Sequence, residues 1–420
     1  MRGSKQRSWI LVALICGACG SKSDSGGGTP AGASASGGAP GTFASGGAAV
    51  IPTASGGAAG PVASGGATQS TGTPASGGAG VVVAPTGGTS TGGPGAGGQV
   101  AAGGGTTAAG GAPGFAGGTT PGLTDPGTDG DGDFQITTYP TDPDLTPGKS
   151  PAGKRFNFNQ TGSKLYPATQ SRAISVYIPA KYKDGTPAPV MVVMDGAGSQ
   201  FLRVQAGLDN LSQTTDPTRK IPAFVEIAVA NGERSIELDT MSDLWARYID
   251  EEVFPAVEAN AAIKAAYPNF SITKDPEGRG AIGCSSGGSA AIIMAWFRPD
   301  LFRRVIGYDA SLVDLQSSAM YPLGAWDLHS DLALILNSPV EPIRIMFDDN
   351  EMDNGAGTGE AGAKDWLLAG QRTAAALKTK GYHYRWLEGM GAKHCSDARV
   401  QQTSMGDSLV WVWRGFPNGP

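Results

Sequence analysis

A long stretch of this 420-residue chain lacks charge. No Asp, Glu, Lys or Arg occurs between Ser25 and Thr124, and Trp9 is the only one of the eight tryptophans before residue 134. Glycine is abundant there instead, with 40 of the 66 glycines at or before residue 132, but it has no period of three. Such a segment cannot bury enough apolar surface to offset its ordering entropy. The sequence therefore excludes a single 420-residue globule, and the missing period excludes a collagen-like fibre.

Positive charge, cysteine and histidine are also scarce. The chain has 31 basic and 37 acidic residues, a formal net charge of −6, which argues against a nucleic-acid partner held by phosphate neutralisation. Only four cysteines and three histidines are present. Any chemistry that needs an imidazole or a thiol must therefore use one of very few residues, and no pattern predicts a metal or an organic cofactor.

Residues 1–19 have the pattern of a bacterial export signal. Basic residues precede an apolar run of seven at residues 9–15, which is too short to span a bilayer. Small residues then precede Cys19, as in the lipobox of bacterial lipoproteins, so Cys19 is the predicted lipidation site. We expect an exported protein, lipid-anchored at the outer membrane or cell surface, that meets the membrane only through this anchor. A plain secretory signal is the alternative.

Residues 20–133 are predicted to be a disordered, low-complexity spacer. The sequence Ala-Ser-Gly-Gly-Ala recurs there at irregular intervals, which excludes a solenoid repeat. Residues 124–133 end the spacer and carry aspartates at alternate positions. This run lacks the Gly and the Glu that a calcium-binding loop needs at its sixth and twelfth positions, so it is interpreted as a solvated acidic linker.

Residues 134–420 show the pattern of one α/β domain. Continuous apolar runs at 189–194 and 223–229 are typical of buried parallel strands. Further strands are predicted at 173–178, 280–283, 305–308, 342–347 and 382–387, and helices at 243–259, 288–297, 367–380 and 408–413. Their alternation predicts a mainly parallel sheet with helices on both faces.

The strongest chemical signal is Gly283-Cys-Ser-Ser-Gly287, a G-x-S-x-G motif between a predicted strand and a predicted helix. Its glycines permit a tight turn that projects the Ser285 hydroxyl above the sheet. The same turn aims the backbone N–H of Ser286 at a developing oxyanion. Because the motif lies in the part of the chain with ordinary glycine content, Ser285 is predicted to be a nucleophile rather than part of a chance turn.

A serine nucleophile needs a base, and three histidines are available. His394 lies in a loop between the last predicted strand and the last predicted helix, where an α/β-hydrolase has its base. His383 falls inside a predicted strand, and His329 lies in an irregular stretch. His394 is therefore the predicted base.

The acid is expected between the serine and the histidine, after a strand. Asp353 and Asp349 both follow the predicted strand 342–347. Asp353 is favoured, and Asp349 is the alternative. The chain order Ser285, Asp353, His394 predicts an α/β-hydrolase triad and differs from the order in other serine hydrolases.

Residues 163–417 resemble the enterochelin-esterase-like (esterase D-type) branch of the α/β-hydrolases. The matching segments, in family order, are Ser163-Lys-Leu-Tyr-Pro, Val176-Tyr-Ile-Pro-Ala, Asp195-Gly196, Arg234-Ser-Ile-Glu237-Leu, Gly283-Cys-Ser-Ser-Gly-Gly288, Phe297-Arg-Pro-Asp-Leu-Phe302 and the loop 389–394. The resemblance implies that Ser285 is the nucleophile and His394 the base, and it favours Asp353 as the acid.

The same resemblance implies the surroundings of the triad. It adds the backbone N–H of Ala197 to that of Ser286 as oxyanion donors. Arg234 and Glu237 match a family Arg-x-x-Glu and are interpreted as an ion pair that braces the pocket, with direct substrate contact as the alternative. The family covers several kinds of ester, so the substrate itself is not implied.

Two cysteines flank the predicted triad. Cys284 directly precedes Ser285 and Cys395 directly follows His394, so a contact within the triad brings the cysteines into disulfide range. The arrangement is similar to the bridged triad of tannases and fungal feruloyl esterases, which implies a Cys284–Cys395 disulfide in an exported protein. Two buried thiols are the alternative.

The sequence therefore predicts an exported serine esterase that hydrolyses a small-molecule carboxylic ester through an acyl-enzyme, without a cofactor. Two alternatives stay open, an acyltransferase with the same triad and a non-catalytic surface-binding module on a hydrolase scaffold. The irregular stretch 311–339, with Tyr321, Trp326 and His329, is interpreted either as a substrate cap or as a packed surface loop.

Overall fold

A computed structural model describes the second part of the chain. The described residues are 122–167, 169–196, 204–315 and 324–417. The predicted leader, the lipidation of Cys19 and the spacer up to residue 121 lie outside the described residues. None of the described helices is both long and apolar enough to cross a membrane.

The described strands form one nine-stranded sheet. Their bounds are β1 Gly132–Ile136, β2 Lys154–Gln160, β3 Arg172–Ile178, β4 Val190–Val193, β5 Val225–Val229, β6 Arg279–Cys284, β7 Arg304–Tyr308, β8 Arg344–Asp348 and β9 His383–Gly389. The order across the sheet is β1-β9-β8-β7-β6-β4-β5-β3-β2. Along this order, each strand from β1 through β9, β8, β7, β6 and β4 to β5 is parallel to its neighbour. At the other end of the sheet, β3 is antiparallel to both β5 and β2. The predicted mainly parallel sheet is confirmed.

Helices cover both faces of this sheet. Their bounds are α1 Val204–Gln213, α2 Arg234–Asp239, α3 Leu244–Tyr248, α4 Phe254–Ala259, α5 Ala261–Ala266, α6 Ser286–Phe297, α7 Leu334–Asn337, α8 Trp366–Lys380 and α9 Arg399–Val412. One apolar core lies between the sheet and α1 with α9, and the other lies between the sheet and α3, α4, α6 and α8. The fold is therefore the α/β-hydrolase architecture expected from the sequence.

The helix predicted for 243–259 is divided. A π-helical turn, Ile249–Val253, separates α3 from α4. Pro255 lies in the first turn of α4 and has no N–H to donate to the preceding turn, so a regular α-helix does not continue through it. The closing helix is longer than predicted, because α9 begins at Arg399.

The folded domain begins before residue 134, the predicted boundary. β1 pairs in parallel with β9, and the Thr124 N–H donates to the Gly415 carbonyl oxygen at 2.9 Å. The interpretation of residues 124–133 as a solvated linker is therefore wrong for the end of that segment. Its backbone gains a sheet partner, and the Asp131 carboxylate gains buried partners that a solvated linker would not have.

Asp131 supplies negative charge to the interior of the domain. Its side chain is 14% exposed and forms an ion pair with Arg344, with 3.6 Å between Oδ1 and Nη2. It also contacts His383 Nδ1 at 2.8 Å and Trp411 Nε1 at 3.1 Å. Arg344 is fully buried over the Trp411 ring, and burial lowers the pKa of Arg344 to about 9. Asp131 therefore offsets part of the cost of burying this guanidinium.

We expect Asp131→Ala to lower the free energy of unfolding by about 3 kcal/mol, because it leaves Arg344 buried without its carboxylate. Asp129→Ala is the matched control, since Asp129 is an exposed aspartate two positions away. Urea denaturation of both variants measures the difference. Equal stabilities would contradict a structural role for Asp131.

Candidate active site

Ser285 lies at the sharp turn between β6 and α6. Its backbone angles are φ 58° and ψ −126°, a combination that residues other than glycine rarely adopt. A Cβ atom at Gly283 would collide with the Gly287 carbonyl group, so the turn closes only with glycine at position 283. The two glycines of the motif thus let strand and helix approach each other, and the strained turn presents the Ser285 side chain at the carboxyl edge of the sheet.

Three side chains form a continuous hydrogen-bonded series at this edge. Ser285 Oγ lies 2.9 Å from His394 Nε2, and His394 Nδ1 lies 2.6 Å from Asp353 Oδ1. With the carboxylate oxygen as acceptor, the Nδ1–H donates to Asp353, and Nε2 accepts a hydrogen bond from the Ser285 hydroxyl. The Asp353 side chain is fully buried, whereas that of His394 is 20% exposed. The imidazole therefore faces outward while its acid is shielded from solvent.

Asp353, and not Asp349, is the carboxylate against His394. Asp353 Oδ1 also accepts the Asn354 N–H at 2.6 Å. Asp349 is fully buried, its carboxyl packs against Gly370, and burial raises the pKa of Asp349 well above its usual range. Of the two aspartates that the sequence left as alternatives, the one in contact with His394 is therefore Asp353.

Further buried polar groups lie next to the series formed by Ser285, His394 and Asp353. Asp309 and Asp348 are fully buried, and burial raises the pKa of both carboxyls well above the usual range. Asp309 accepts hydrogen bonds from Asn350 Nδ2 at 2.5 Å and from Gln401 Nε2 at 3.3 Å. Asn350 Nδ2 also donates to the Lys393 carbonyl oxygen at 2.9 Å. This network joins the segment after β8, which carries Asp353, to the segment after β9, which carries His394. It was not predicted from the sequence.

The predicted Cys284–Cys395 disulfide is confirmed. The two Cα atoms are 6.2 Å apart, and the bond joins residues separated by 111 positions. Cys284 ends β6 directly before Ser285, and Cys395 directly follows His394. One covalent bond therefore ties the turn at Ser285 to the loop that carries His394.

Removing this bond is expected to destabilise the domain. Replacing Cys284 and Cys395 with Ala together should lower the free energy of unfolding by about 4 kcal/mol, because the unfolded chain regains the freedom of a long loop. Esterase activity should fall as well, since the base loop is no longer tied to the Ser285 turn. Thermal unfolding and ester turnover, each compared with the oxidised parent, measure the two effects. An unchanged melting temperature would contradict the expected stabilisation.

The expected Arg234–Glu237 ion pair is wrong. Arg234 instead forms two hydrogen bonds with the Asp195 carboxylate, at 2.6 and 2.9 Å, and donates to Ser286 Oγ at 2.9 Å. Glu237 pairs with the fully buried Arg172. Each group has a partner of opposite charge on a neighbouring strand end, which a local sequence match cannot reveal. Arg234 still supports the site, because it joins the chain after β4 to the start of α6.

One of the two predicted oxyanion donors lies among the described residues. The Ser286 N–H lies at the start of α6, whereas Ala197 lies outside the described residues. The preceding residues, Asp195 and Gly196, both have positive φ, 63° and 71°. They turn the chain after β4 beside α6, where a Cβ at Gly287 would approach Asp195 Oδ2 to 3.0 Å. This turn therefore places Asp195 and Gly196 beside the start of α6.

The other two histidines lie away from Ser285. His329 Nε2 contacts the Leu312 carbonyl oxygen at 2.8 Å, and its ring packs edge-on against Trp326. Burial lowers the pKa of His329 to about 4, so this imidazole is neutral at pH 7. The Trp326 and His329 side chains are therefore both buried by packing. Tyr321 lies outside the described residues. His383 contacts the Asp131 carboxylate, as a packed strand residue would.

Two further side chains reach the triad. Ser311 Oγ lies 3.3 Å from Ser285 Oγ and accepts a hydrogen bond from Trp366 Nε1 at 3.3 Å. The Trp366 ring packs edge-on against His394, with 5.9 Å between the ring centroids. Neither contact was predicted from the sequence. For Ser311 the only available signal was its position just after a strand, at the edge where the motif serine lies.

One group of possible metal ligands coincides with the triad. Ligand atoms of Asp309, Asp353 and His394 lie within 4.8 Å of one another. Both ring nitrogens of His394 already form hydrogen bonds, one with Asp353 and one with Ser285. This arrangement suits proton transfer better than metal ligation, which needs an unprotonated ring nitrogen directed at the ion.

Several solved esterase structures are similar to this chain. A ferulic acid esterase is 16% identical, with a TM-score of 0.46 over 63% of this chain and 99% of that chain. The enterobactin esterase of Shigella flexneri is 16% identical, with a TM-score of 0.44, and the match covers 63% of this chain but 59% of that chain. A siderophore hydrolase of Aspergillus nidulans is 17% identical, with a TM-score of 0.40 over 65% of this chain and 98% of that chain. A comparison with curated proteins found no match.

A protein-family model also matches the chain. It is named Esterase, with the description "Putative esterase", and it matches residues 168–394. This span contains Ser285 and Asp353 and ends at His394. Because it covers more than half of the chain, the protein belongs to the Esterase family of carboxylic ester hydrolases.

Proposed function

We propose that the protein is an exported serine esterase that hydrolyses a small-molecule carboxylic ester through an acyl-enzyme. The observation that supports this most directly is the series Ser285–His394–Asp353, with contacts of 2.9 and 2.6 Å at a strained strand–helix turn. Nucleophile, base and acid are in contact in the order that acyl transfer requires.

Acylation begins with proton transfer to His394. Nε2 takes the Ser285 proton as Oγ attacks the ester carbonyl carbon, and the Ser286 N–H binds the resulting oxyanion together with that of Ala197. Asp353 keeps accepting the Nδ1–H and stabilises the imidazolium without itself becoming protonated. When the tetrahedral intermediate collapses, His394 gives its proton to the leaving alcohol.

Deacylation repeats these steps with water. His394 takes a proton from the attacking water and returns it to Ser285 Oγ as the acyl–oxygen bond breaks. The partial exposure of the His394 side chain supports this, because water reaches the imidazole without the domain opening. The carboxylic acid leaves, and the side chains return to their starting protonation states.

The proposed location is outside the cytoplasm, with Cys19 as the lipid anchor. The Cys284–Cys395 disulfide supports export, because disulfides persist in oxidising compartments and are rare in the cytosol. In this arrangement the uncharged spacer separates the esterase domain from the membrane.

The proposed activity is tested with p-nitrophenyl acetate and butyrate, with and without a serine-directed phosphonate. We expect turnover, loss of turnover after phosphonate treatment and a covalent adduct on the peptide that contains Ser285. Turnover that requires an added alcohol acceptor would identify an acyltransferase instead. Neither turnover nor an adduct would contradict the proposal and favour a non-catalytic binding module.

A further inference from the structure

Ser285 Oγ has a second polar neighbour besides His394. Ser311 Oγ lies 3.3 Å from it, and Ser311 is 1% exposed. The Ser311 N–H also donates to the Ser285 carbonyl oxygen at 3.1 Å. Because the two residues are joined through both backbone and side chain, their contact is part of the nucleophile turn.

The direction of the hydrogen bonds follows from which groups can donate. Trp366 Nε1–H is only a donor, so Ser311 Oγ accepts the bond between them. The Ser285 hydroxyl has one proton, and in the reactive arrangement it gives that proton to His394 Nε2. The Ser311 O–H is then available to donate to Ser285 Oγ. In this arrangement each residue donates a hydrogen bond to the next, in the order Trp366, Ser311, Ser285, His394, Asp353.

Trp366 is held rigidly enough to orient Ser311. It is the first residue of α8, whose start is capped by the Asp365 carboxylate accepting the Leu368 N–H at 2.9 Å. The Trp366 backbone N–H donates to the Asn354 carbonyl oxygen at 3.2 Å, in the loop that carries the triad acid. The indole is therefore fixed to the same structure that holds Asp353.

We propose that Ser311 is a further catalytic residue, whose hydroxyl donates a hydrogen bond to Ser285 Oγ, and that Trp366 is its positioning residue. The inference rests on the proposed function. As Ser285 loses its proton to His394, Oγ gains negative charge, and a donor already aimed at Oγ stabilises that charge. The charge returns when the acyl–Oγ bond breaks, so Ser311 acts in both half-reactions. Ser311 keeps its own proton throughout, since His394 carries the transferred one.

The test uses a readout that reports the reactivity of Oγ directly. Ser311→Ala is expected to lower both kcat/KM and the rate of phosphonylation of Ser285 about tenfold, the effect of losing one modest hydrogen bond to a developing charge. KM and the melting temperature should change little. Ser408→Ala is the matched control, because it also removes a fully buried serine hydroxyl, but one that contacts Tyr308 in the interior.

Trp366→Phe provides the second variant. Phenylalanine keeps an aromatic ring against His394 but has no N–H to orient Ser311. We expect a smaller loss of both rates, and no additional loss when Trp366→Phe is combined with Ser311→Ala, because the indole N–H acts through Ser311.

The outcomes separate this inference from the proposed function. If the parent enzyme neither turns over esters nor forms the adduct, the proposed function itself is wrong. If the parent is active but Ser311→Ala is phosphonylated at the parental rate, or if the two substitutions are additive, the inference is overturned.

Discussion

Ser285→Ala is expected to lower kcat for a p-nitrophenyl ester by about 10⁶-fold while the protein remains folded. The substitution removes the atom proposed to form the acyl-enzyme, and His394 Nε2 loses the hydroxyl that lies 2.9 Å away. What activity remains comes from water attacking an ester held by the oxyanion donors. The kcat value and the mass of the phosphonate adduct measure the loss of nucleophilic function.

Ser286→Ala is the comparison variant for this experiment. It removes the neighbouring hydroxyl, which accepts a bond from Arg234 at 2.9 Å, but it keeps the backbone N–H proposed to bind the oxyanion. We therefore expect it to retain most of the activity, within about tenfold of the parent, the size of one lost hydrogen bond. An equal loss in the two variants would contradict the assignment of Ser285 as the nucleophile.

Asp353→Asn is expected to lower kcat by about 10⁴-fold. An amide directed at His394 Nδ1, now 2.6 Å from a carboxylate oxygen, can donate its own proton and favour the tautomer with the hydrogen on Nε2. That tautomer does not accept the Ser285 proton, and the amide does not stabilise an imidazolium. Steady-state kinetics across pH should show the loss at every pH at which the parent is active.

Asp349→Asn is the matched control for this prediction. Asp349 is four positions away and is fully buried, and burial raises its pKa well above its usual range. An amide of the same shape should change kcat less than about threefold, since the carboxylate that contacts His394 is that of Asp353. If Asp349→Asn costs more activity than Asp353→Asn, the triad acid has been assigned to the wrong residue.

The central part of the fold could be predicted from the sequence, whereas its edges could not. Strands β4 to β8 are buried on both faces, so their mainly apolar sequences are visible as strands. The outermost strand β2 alternates polar with aromatic residues, and β1 is five residues long and follows low-complexity sequence. Neither has the composition of a buried strand, and β1 is recognisable only through its pairing with β9.

The candidate site was predicted to a similar extent. A local motif identifies Ser285, and the scarcity of histidine leaves His394 with few rivals. The sequence could not identify Ser311 or the true partner of Arg234. These depend on contacts between residues 26 and 39 positions apart, made where separate strands end at one edge of the sheet. Such contacts cannot be predicted from the spacing of residues along the chain.

The direction of β1 has a consequence for how the enzyme is presented to its surroundings. β1 runs parallel to β6, so the chain enters the sheet at the edge opposite to the one that carries Ser285, about 17 Å of strand away. A bead or fusion partner joined directly to the described start of the domain, before Thr124, would therefore lie at the end of the sheet opposite to Ser285. An enzyme immobilised at that point should cleave bulky and small esters in the same ratio as the soluble one.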